Sequence, residues 1–510
     1  MHEKKVINNS IIALIFKILM LVIGFVSRKI FIVFLSEEVL GLNSLYSNLL
    51  DLLNLADLGI GVAVQYQLYG PLVNKDYIKQ SKILSAAKKI YNLIGVIVLL
   101  TGIVLSFFIR YLIEETTFPI SFVRTSFLIS VTGVALGYFF VHKRLFLNAD
   151  ENMGMVNIID LISKVCITVI SLILTIVFRN YFLYLIINAS YSLIANIFIH
   201  FIFKRHYPDI VSNMKDISAE KKELTADLKN VIPMKFSNYV YNSTDYMIIS
   251  RILGFITIAR YSNYMTVING IMGVEYLIGN VVSPSIGKLI KEKNNGNDVY
   301  QYYLLYQYTH FVFTNFCTFS LTLVLVPFIS IWLGSQYLFD SIIMGLLVFD
   351  FYIHSMYQPA YVMYAAAGKF KNDKIITIIS GVLNIVISLI AVHFIGLSGV
   401  ILGTILTDIY IWIVRSYQMV GKYFMQSIKK HVMLMAKYTF ITILCVAISV
   451  LLSVYLSFDN LIADLIIKLL ICIVVPNLIS IAFTFKSAEY KNAKQVIHNR
   501  VNVLFGSDEK

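Results

Sequence analysis

The chain has 510 residues, 58% of them hydrophobic and only 14% charged, with a formal net charge of +13 and a mean hydropathy of +0.76. Ordinary soluble domains are about 45–50% apolar and about 25% charged, so this chain has too few polar side chains to cover a water-facing surface. The composition excludes a water-soluble fold and makes lipid the solvent for most side chains.

A membrane-crossing helix needs about 20 mainly apolar residues. Such stretches occur near 11–35, 42–69, 90–109, 119–141, 155–178, 181–203, 231–251, 258–284, 304–332, 341–366, 374–394, 397–420, 432–456 and 461–485, which predicts about 14 transmembrane helices and an all-α polytopic membrane protein. The first stretch is longer than a secretory core and no small-x-small site follows it, so it reads as a retained helix. Its polar residues Lys17 and Arg28 share one face, with Gly24 between them.

The second span carries a polar stripe. At 100° per residue, Asn43, Ser47, Asp51, Asn54, Asp57, Gly61 and Gln65 fall within about 120°, while Leu45, Leu49 and Leu52 point the other way. The seventh span repeats the pattern with Lys235, Asn238, Asn242 and Asp245, and the eighth carries Glu275. A charge at the centre of a lipid-facing helix costs roughly 2.5–3.5 kcal/mol, so such residues face a protein interior or a watery cavity. Either the stripes line a hydrated cavity or their members satisfy one another in helix contacts; the continuity of whole stripes favours the cavity.

Other polar residues read more locally. Asp160 and Lys164, and again Asp464 and Lys468, stand four apart with the acid first, the spacing of an ion pair on one helix. Asp350 and His354 share that spacing, and His354 is either a proton relay or a hydrogen-bonding core residue. Pro327 and Pro359 mark bends or static kinks in spans nine and ten. Many of the 33 tyrosines sit at span ends as interfacial anchors, and Tyr241 and Tyr264 are candidates for stacking on sugar rings. Cys166, Cys317, Cys445 and Cys472 all fall within spans at no metal-ligand spacing, which predicts packing residues and no metal site.

The loops set the orientation. Counting alternate segments from the N-terminus, 31 of the 42 Lys and Arg residues fall on one side, against four (Arg110, Arg179, Arg251 and Arg260) on the other. Cytoplasmic loops carry the basic excess, so both termini are expected in the cytoplasm. The same distribution explains the net charge by topology and anionic-lipid contact and gives no nucleic-acid partner.

The longest polar segment, KRHYPDIVSNMKDISAEKKELTADLKN at 204–230, separates six spans from eight. At an offset of 218, Ser44-Leu45-Tyr46 matches Ser262-Asn263-Tyr264 and Asp57 matches Glu275; at 217, 170–173 matches 387–390. This predicts a parallel duplication about an axis along the membrane normal. The expected organisation is a six-helix bundle at 1–204, a basic cytoplasmic linker at 205–230, a second bundle at 231–420, two further spans at 421–486 and a cytoplasmic tail at 487–510.

No ATP-binding loop, H-E-x-x-H or C-x-x-C occurs, and Gly59-Ile60-Gly61 lies within a span, so no cofactor is expected and transport would draw on an ion or substrate gradient. A membrane polysaccharide polymerase or glycosyltransferase is the enzyme alternative. The expected external loops, about 2–12 residues long, offer little from which to build a pocket of spaced carboxylates, which favours a non-enzyme.

Ser27-Arg28-Lys29-Ile30 through Leu40-Gly41-Leu42, followed by Asp57-Leu58-Gly59-Ile60-Gly61, resembles the start of the Wzx-type polysaccharide flippases. Their superfamily also contains the multidrug and toxin extrusion (MATE) exporters and the lipid II flippase. The resemblance implies a MATE-like, two-lobed transporter in the bacterial cell membrane. It would move undecaprenyl-diphosphate-linked oligosaccharides to the outer leaflet for capsule or exopolysaccharide, beside a polymerase and glycosyltransferases. It also implies cavity cations suited to a diphosphate, with Arg28, Lys235 and Arg251 at the fitting positions, and the remaining site residues Asp51, Asn54, Asp57, Asn242, Asp245 and Glu275 around them. The acids make the cavity mixed in sign and leave room for a coupling ion, Na⁺ or H⁺. A drug or cation exporter of the same superfamily is the alternative.

Overall fold

The computed structural model describes residues 2–53, 60–113, 116–150, 152–226, 243–292, 296–367, 370–456, 458 and 460–505. Those residues are almost entirely helical, the arrangement in which a backbone in hydrocarbon satisfies its own N–H and C=O groups. In chain order the helices are α1 (His2–Phe34), α2 (Glu37–Leu53), α3 (Ile60–Val73), α4 (Tyr77–Phe108), α5 (Ile120–Tyr138), α6 (Val141–Ala149), α7 (Met153–Phe178), α8 (Tyr181–His206), α9 (Ser218–Thr225), α10 (243–252) and α11 (Gly254–Glu292). There follow α12 (Gly296–Trp332), α13 (Ser341–Ala366), α14 (Phe370–Ile395), α15 (Leu397–Ser416), α16 (Ile428–Tyr455), α17 (Leu461–Thr484) and α18 (Ala488–Phe505).

Among the described residues, nine helices are long and apolar enough to cross a membrane. Their outer faces are apolar, as with Ile197, Phe198 and Phe201 on α8 and Ile462, Ile466, Leu470 and Ile473 on α17, all exposed. The chain is a multi-pass membrane protein. Polar residues in the loops start several helices by capping free N–H groups: Asp76 accepts from Lys79 N at 2.9 Å, Asn180 from Leu183 N at 3.2 Å and Asn460 from Ile462 N at 3.0 Å. The span expected at 42–69 falls on α2 and α3, with 54–59 outside the described residues. The polar α9 and α18 lie outside every predicted span, and the short amphipathic α6 meets the span at 119–141 only at Val141. Pro327 and Pro359 sit inside α12 and α13.

The chain forms two compact units, Met1–Thr266 and Val267–Lys510, which divide within α11. In the first, α4 packs on α5, and α8 packs on α5 and α7. The buried Tyr46 of α2 locks onto α5 by donating to Val123 O at 2.6 Å and sharing a 2.8 Å bond with Ser126 Oγ. Two glycines carry geometry here. Gly41 lies so close to the Phe255 carbonyl that a Cβ would sit 2.0 Å from the oxygen, so α2 meets the first turn of α11 backbone to backbone. Gly254 takes φ +80° at the corner between α10 and α11, a conformation open to glycine without strain.

In the second unit, α12 packs on α13, α16 and α17, and α15 on α13 and α14. Phe311 and Tyr438 stack at 4.1 Å in its core. Buried hydrogen bonds tie α12 to α17, from Asn315 Nδ2 to Ser480 Oγ at 2.8 Å and between Tyr308 and Thr484 at 2.9 Å, the polar adhesion expected between membrane helices. Cys317, Cys445 and Cys472 are buried, Cys166 is exposed, and all four are free thiols.

Candidate functional site

Leu45 and Leu49 of α2 are buried, Ser47 and Asp51 are exposed, and Asn43 faces two cavities. The first cavity, about 220 Å³, is walled by Arg28 of α1, Asn43, Ser47 and Asn48 of α2, Tyr184 of α8 and Tyr246 of α10. A water in the liquid occupies ~30 Å³, so there is room for a group of several heavy atoms.

Arg28 is held by neutral partners. Its Nη1 donates to Ser262 Oγ at 2.7 Å and to Asn263 Oδ1 at 3.0 Å, both on α11. Ser44 Oγ donates to Leu40 O at 2.9 Å and lies 3.1 Å from Ser262 Oγ, so the serines matched at the internal offset of 218 meet in space. Among the described residues no carboxylate pairs with Arg28. Asn263 is buried, and its Nδ2 is a donor with no partner among those residues. Neutral acceptors orient a guanidinium without cancelling its charge, so among the described residues the Arg28 charge is left for an anion entering the cavity.

A second cavity of about 270 Å³ lies beside the first, between α2, α5, α7 and α8, and shares Asn43, Ser47 and Tyr184 with it. Lys164 enters from α7 with its ammonium 4.7 Å from the centre of the Tyr191 ring. The expected Asp160–Lys164 ion pair is not formed. Asp160 instead takes Arg144 of α6, which also donates to Asn196 at 3.1 Å. The guanidinium reaches from another helix and spans two partners, with Nη1 on Asp160 Oδ2 and Nη2 on Asn196 Oδ1. The companion pair does form, with Lys468 Nζ 2.8 Å from Asp464 Oδ2 and both residues buried.

The second unit holds a denser polar cluster. Glu275 accepts from Ser355 Oγ at 2.6 Å. His354 Nδ1 lies 3.1 Å from Asp408 Oδ2 and 3.0 Å from Tyr357 OH, and Gln358 Nε2 stands 3.1 Å from His354 Nε2. His354 Nδ1 thus stands between Asp408 and Tyr357, while its Nε2 meets the Gln358 amide. The Arg415 guanidinium covers the rings of Tyr357 and Tyr361 at 5.6 and 4.7 Å. Among the described residues no group of three or more His, Cys, Asp and Glu is placed to hold a metal ion.

Of the nine predicted site residues, Asn54, Asp57, Lys235 and Asn242 lie outside the described residues. Arg28 lines the first cavity, while Asp51 is exposed on α2 and Asp245 buried on α10. Arg251 is exposed, with Nη1 on the Ile113 carbonyl at 3.0 Å. Glu275 belongs to the second unit, as described above. Tyr241 is outside the described residues, and Tyr264 is wholly buried, so its ring offers no open face for a sugar. Tyr184 and Tyr246, at the wall of the Arg28 cavity, were not among the predicted site residues. Ser262 and Asn263 had one signal, their match to the Ser44 triplet.

Compared with known proteins, the chain resembles solved membrane transporters in fold. The lipid II flippase MurJ, in an inward closed conformation, superposes with a TM-score of 0.68 at 17% identity, over 94% of this chain and 98% of its own. An inward-facing multidrug resistance MATE family transporter of the MOP superfamily gives 0.65 at 12%, over 80% and 98%. A MATE protein in complex with MaD3S gives 0.58 at 14%, over 81% and 94%. No protein-family profile and no curated protein sequence matches the chain. At these identities the likeness establishes the fold, that of the MATE transporters and MurJ.

Proposed function

We propose that this chain is a flippase that carries undecaprenyl-diphosphate-linked oligosaccharides from the inner to the outer leaflet of the bacterial cell membrane, for capsule or exopolysaccharide. The observation that carries the reading is Arg28, a cation at a membrane cavity held only by hydroxyl and amide groups among the described residues. Such a cation spends its attraction on a ligand rather than on a neighbour, and a diphosphate is the anionic part of this substrate. In this reading the bundles at 1–204 and 231–420 alternate access to the two sides, Lys235 and Arg251 add positive charge, and the prenyl tail stays in lipid. Na⁺ or H⁺ couples through the acids Asp57, Asp245 and Glu275. Both termini lie in the cytoplasm, where the glycosyltransferases of the same glycan supply the lipid, and a polymerase takes it up after transfer to the outer leaflet.

Charge reversal tests it. Arg28→Glu, in a strain whose surface polysaccharide depends on this gene, is expected to remove the polysaccharide while membrane levels of the protein stay normal. Full polysaccharide in that strain defeats the reading. The second reading, a drug or cation exporter, is favoured by the buried acids Asp245 and Glu275. It predicts lost drug resistance and intact surface polysaccharide when the gene is deleted.

A further inference from the structure

The Lys164 cavity has features that the diphosphate does not use. Its one charged group is an ammonium without a carboxylate partner among the described residues, because Arg144 occupies Asp160. The Tyr191 ring fixes the ammonium from one side at 4.7 Å, which orients the charge without neutralising it. The remaining polar wall is neutral and hydrogen-bonding, with Asn43, Ser47, Asn188 and Ser192. The Asn188 amide donates to the Tyr184 carbonyl at 3.0 Å, which leaves its Oδ1 as an acceptor. Amides and hydroxyls around one cation suit a polyhydroxylated ligand bearing one negative charge. A diphosphate, with more charge and no hydroxyls, is poorly matched to this wall. At about 270 Å³ the space is just below the ~300–1,000 Å³ of drug-sized ligand sites, in keeping with a single sugar ring. Asn43, Ser47 and Tyr184 belong to both cavities, so a ligand can occupy the two without leaving the first unit.

We propose that this cavity is a second subsite, which takes a hexuronate of the carried glycan with its carboxylate on Lys164 and its hydroxyls on Asn43, Asn188 and Ser192. The proposal rests on the flippase reading for its glycan, and it makes Lys164 a determinant of which glycans are accepted. Acidic sugars bind there and neutral ones gain nothing from the ammonium.

The test uses the full chain purified in detergent, with its thermal unfolding followed against sodium glucuronate, glucose and sodium pyrophosphate at matched ionic strength. Glucuronate is expected to stabilise the wild type at concentrations where glucose has no effect. Lys164→Gln is expected to weaken the glucuronate half-saturation by about tenfold, the loss of one charge-assisted hydrogen bond, and Lys164→Arg to retain it. Arg28→Gln is expected to lose the pyrophosphate response and keep the glucuronate response. An unchanged glucuronate response in Lys164→Gln overturns the proposal. So does equal stabilisation of the wild type by glucuronate and glucose, a result that stands even where the glutamine variant fails to fold. A missing pyrophosphate response in the wild type counts against the diphosphate reading of Arg28 alone and leaves the hexuronate subsite to be judged on the sugar arms.

Discussion

Lys164 on α7 and Lys468 on α17 each stand four residues after an aspartate on an apolar helix, and their surroundings differ in every other respect. Lys468 is buried and donates to Asp464 at 2.8 Å. Lys164 lies over Tyr191 at the wall of a cavity, and the aspartate one turn back is bonded to Arg144. One spacing has produced a closed ion pair in one helix and an available cation in the other. What separates them is not the helix that carries the pair but the helix packed against it. A third residue that reaches the carboxylate from a neighbouring helix leaves the lysine available.

The comparison breaks most visibly at Lys468. Lys468→Ala leaves the Asp464 carboxylate buried without its cation, and removing one partner of a buried pair costs about 3–5 kcal/mol. Chemical unfolding in detergent is expected to show that loss, and the double change Asp464→Leu with Lys468→Leu to recover most of it. A loss below 1 kcal/mol for the single change, on the order expected of exposed pairs, would mean that the pair is no better protected than a surface one.

Arg144 gives a smaller effect. Its side chain and that of Asp160 are each 21% exposed, so water tempers the loss. Arg144→Ala is expected to destabilise by about 1–3 kcal/mol. It also frees Asp160 to capture Lys164, so the glucuronate preference of the purified protein should fall. Retention of that preference would show that Asp160 does not reach the ammonium.

Lys164 itself gives the smallest change in stability. Lys164→Gln removes an ammonium–ring contact worth about 0.5–1 kcal/mol and relieves an unneutralised charge, so unfolding should shift by less than about 1 kcal/mol. A loss as large as that of Lys468→Ala would erase the distinction between the two lysines.

Much of the fold was legible because the spans are long apolar runs, several of them opened by polar loop residues that cap the helix, as Asp76, Asn180 and Asn460 do. The α2 stripe was legible for a similar reason, since a period of 3.6 places Leu45 and Leu49 opposite Ser47 and Asp51 whatever α2 packs against. The partners were less so. Arg28 finds Ser262 and Asn263 at separations of 234 and 235 residues, and only a weak internal match singled those residues out. The i, i+4 rule describes one helix in isolation, so it credited Asp160 to Lys164 and could not register Arg144 on α6. Tyr264 has the chemistry of a sugar platform, and only packing reveals that its ring is sealed.

The close approach of Gly41 to Phe255 has a mechanical consequence. With no side chain between them, α2 and the first turn of α11 have no compressible layer, and a displacement of one is handed on undamped to the other. Ser44 lies one turn along α2 from that contact, and Ser262 and Asn263 lie two turns along α11 from it. The Ser262–Asn263 clasp on the Arg28 guanidinium and the Ser44 that meets it are therefore carried by two rods pinned at one fulcrum, and a pull on the clasp is felt at the pin.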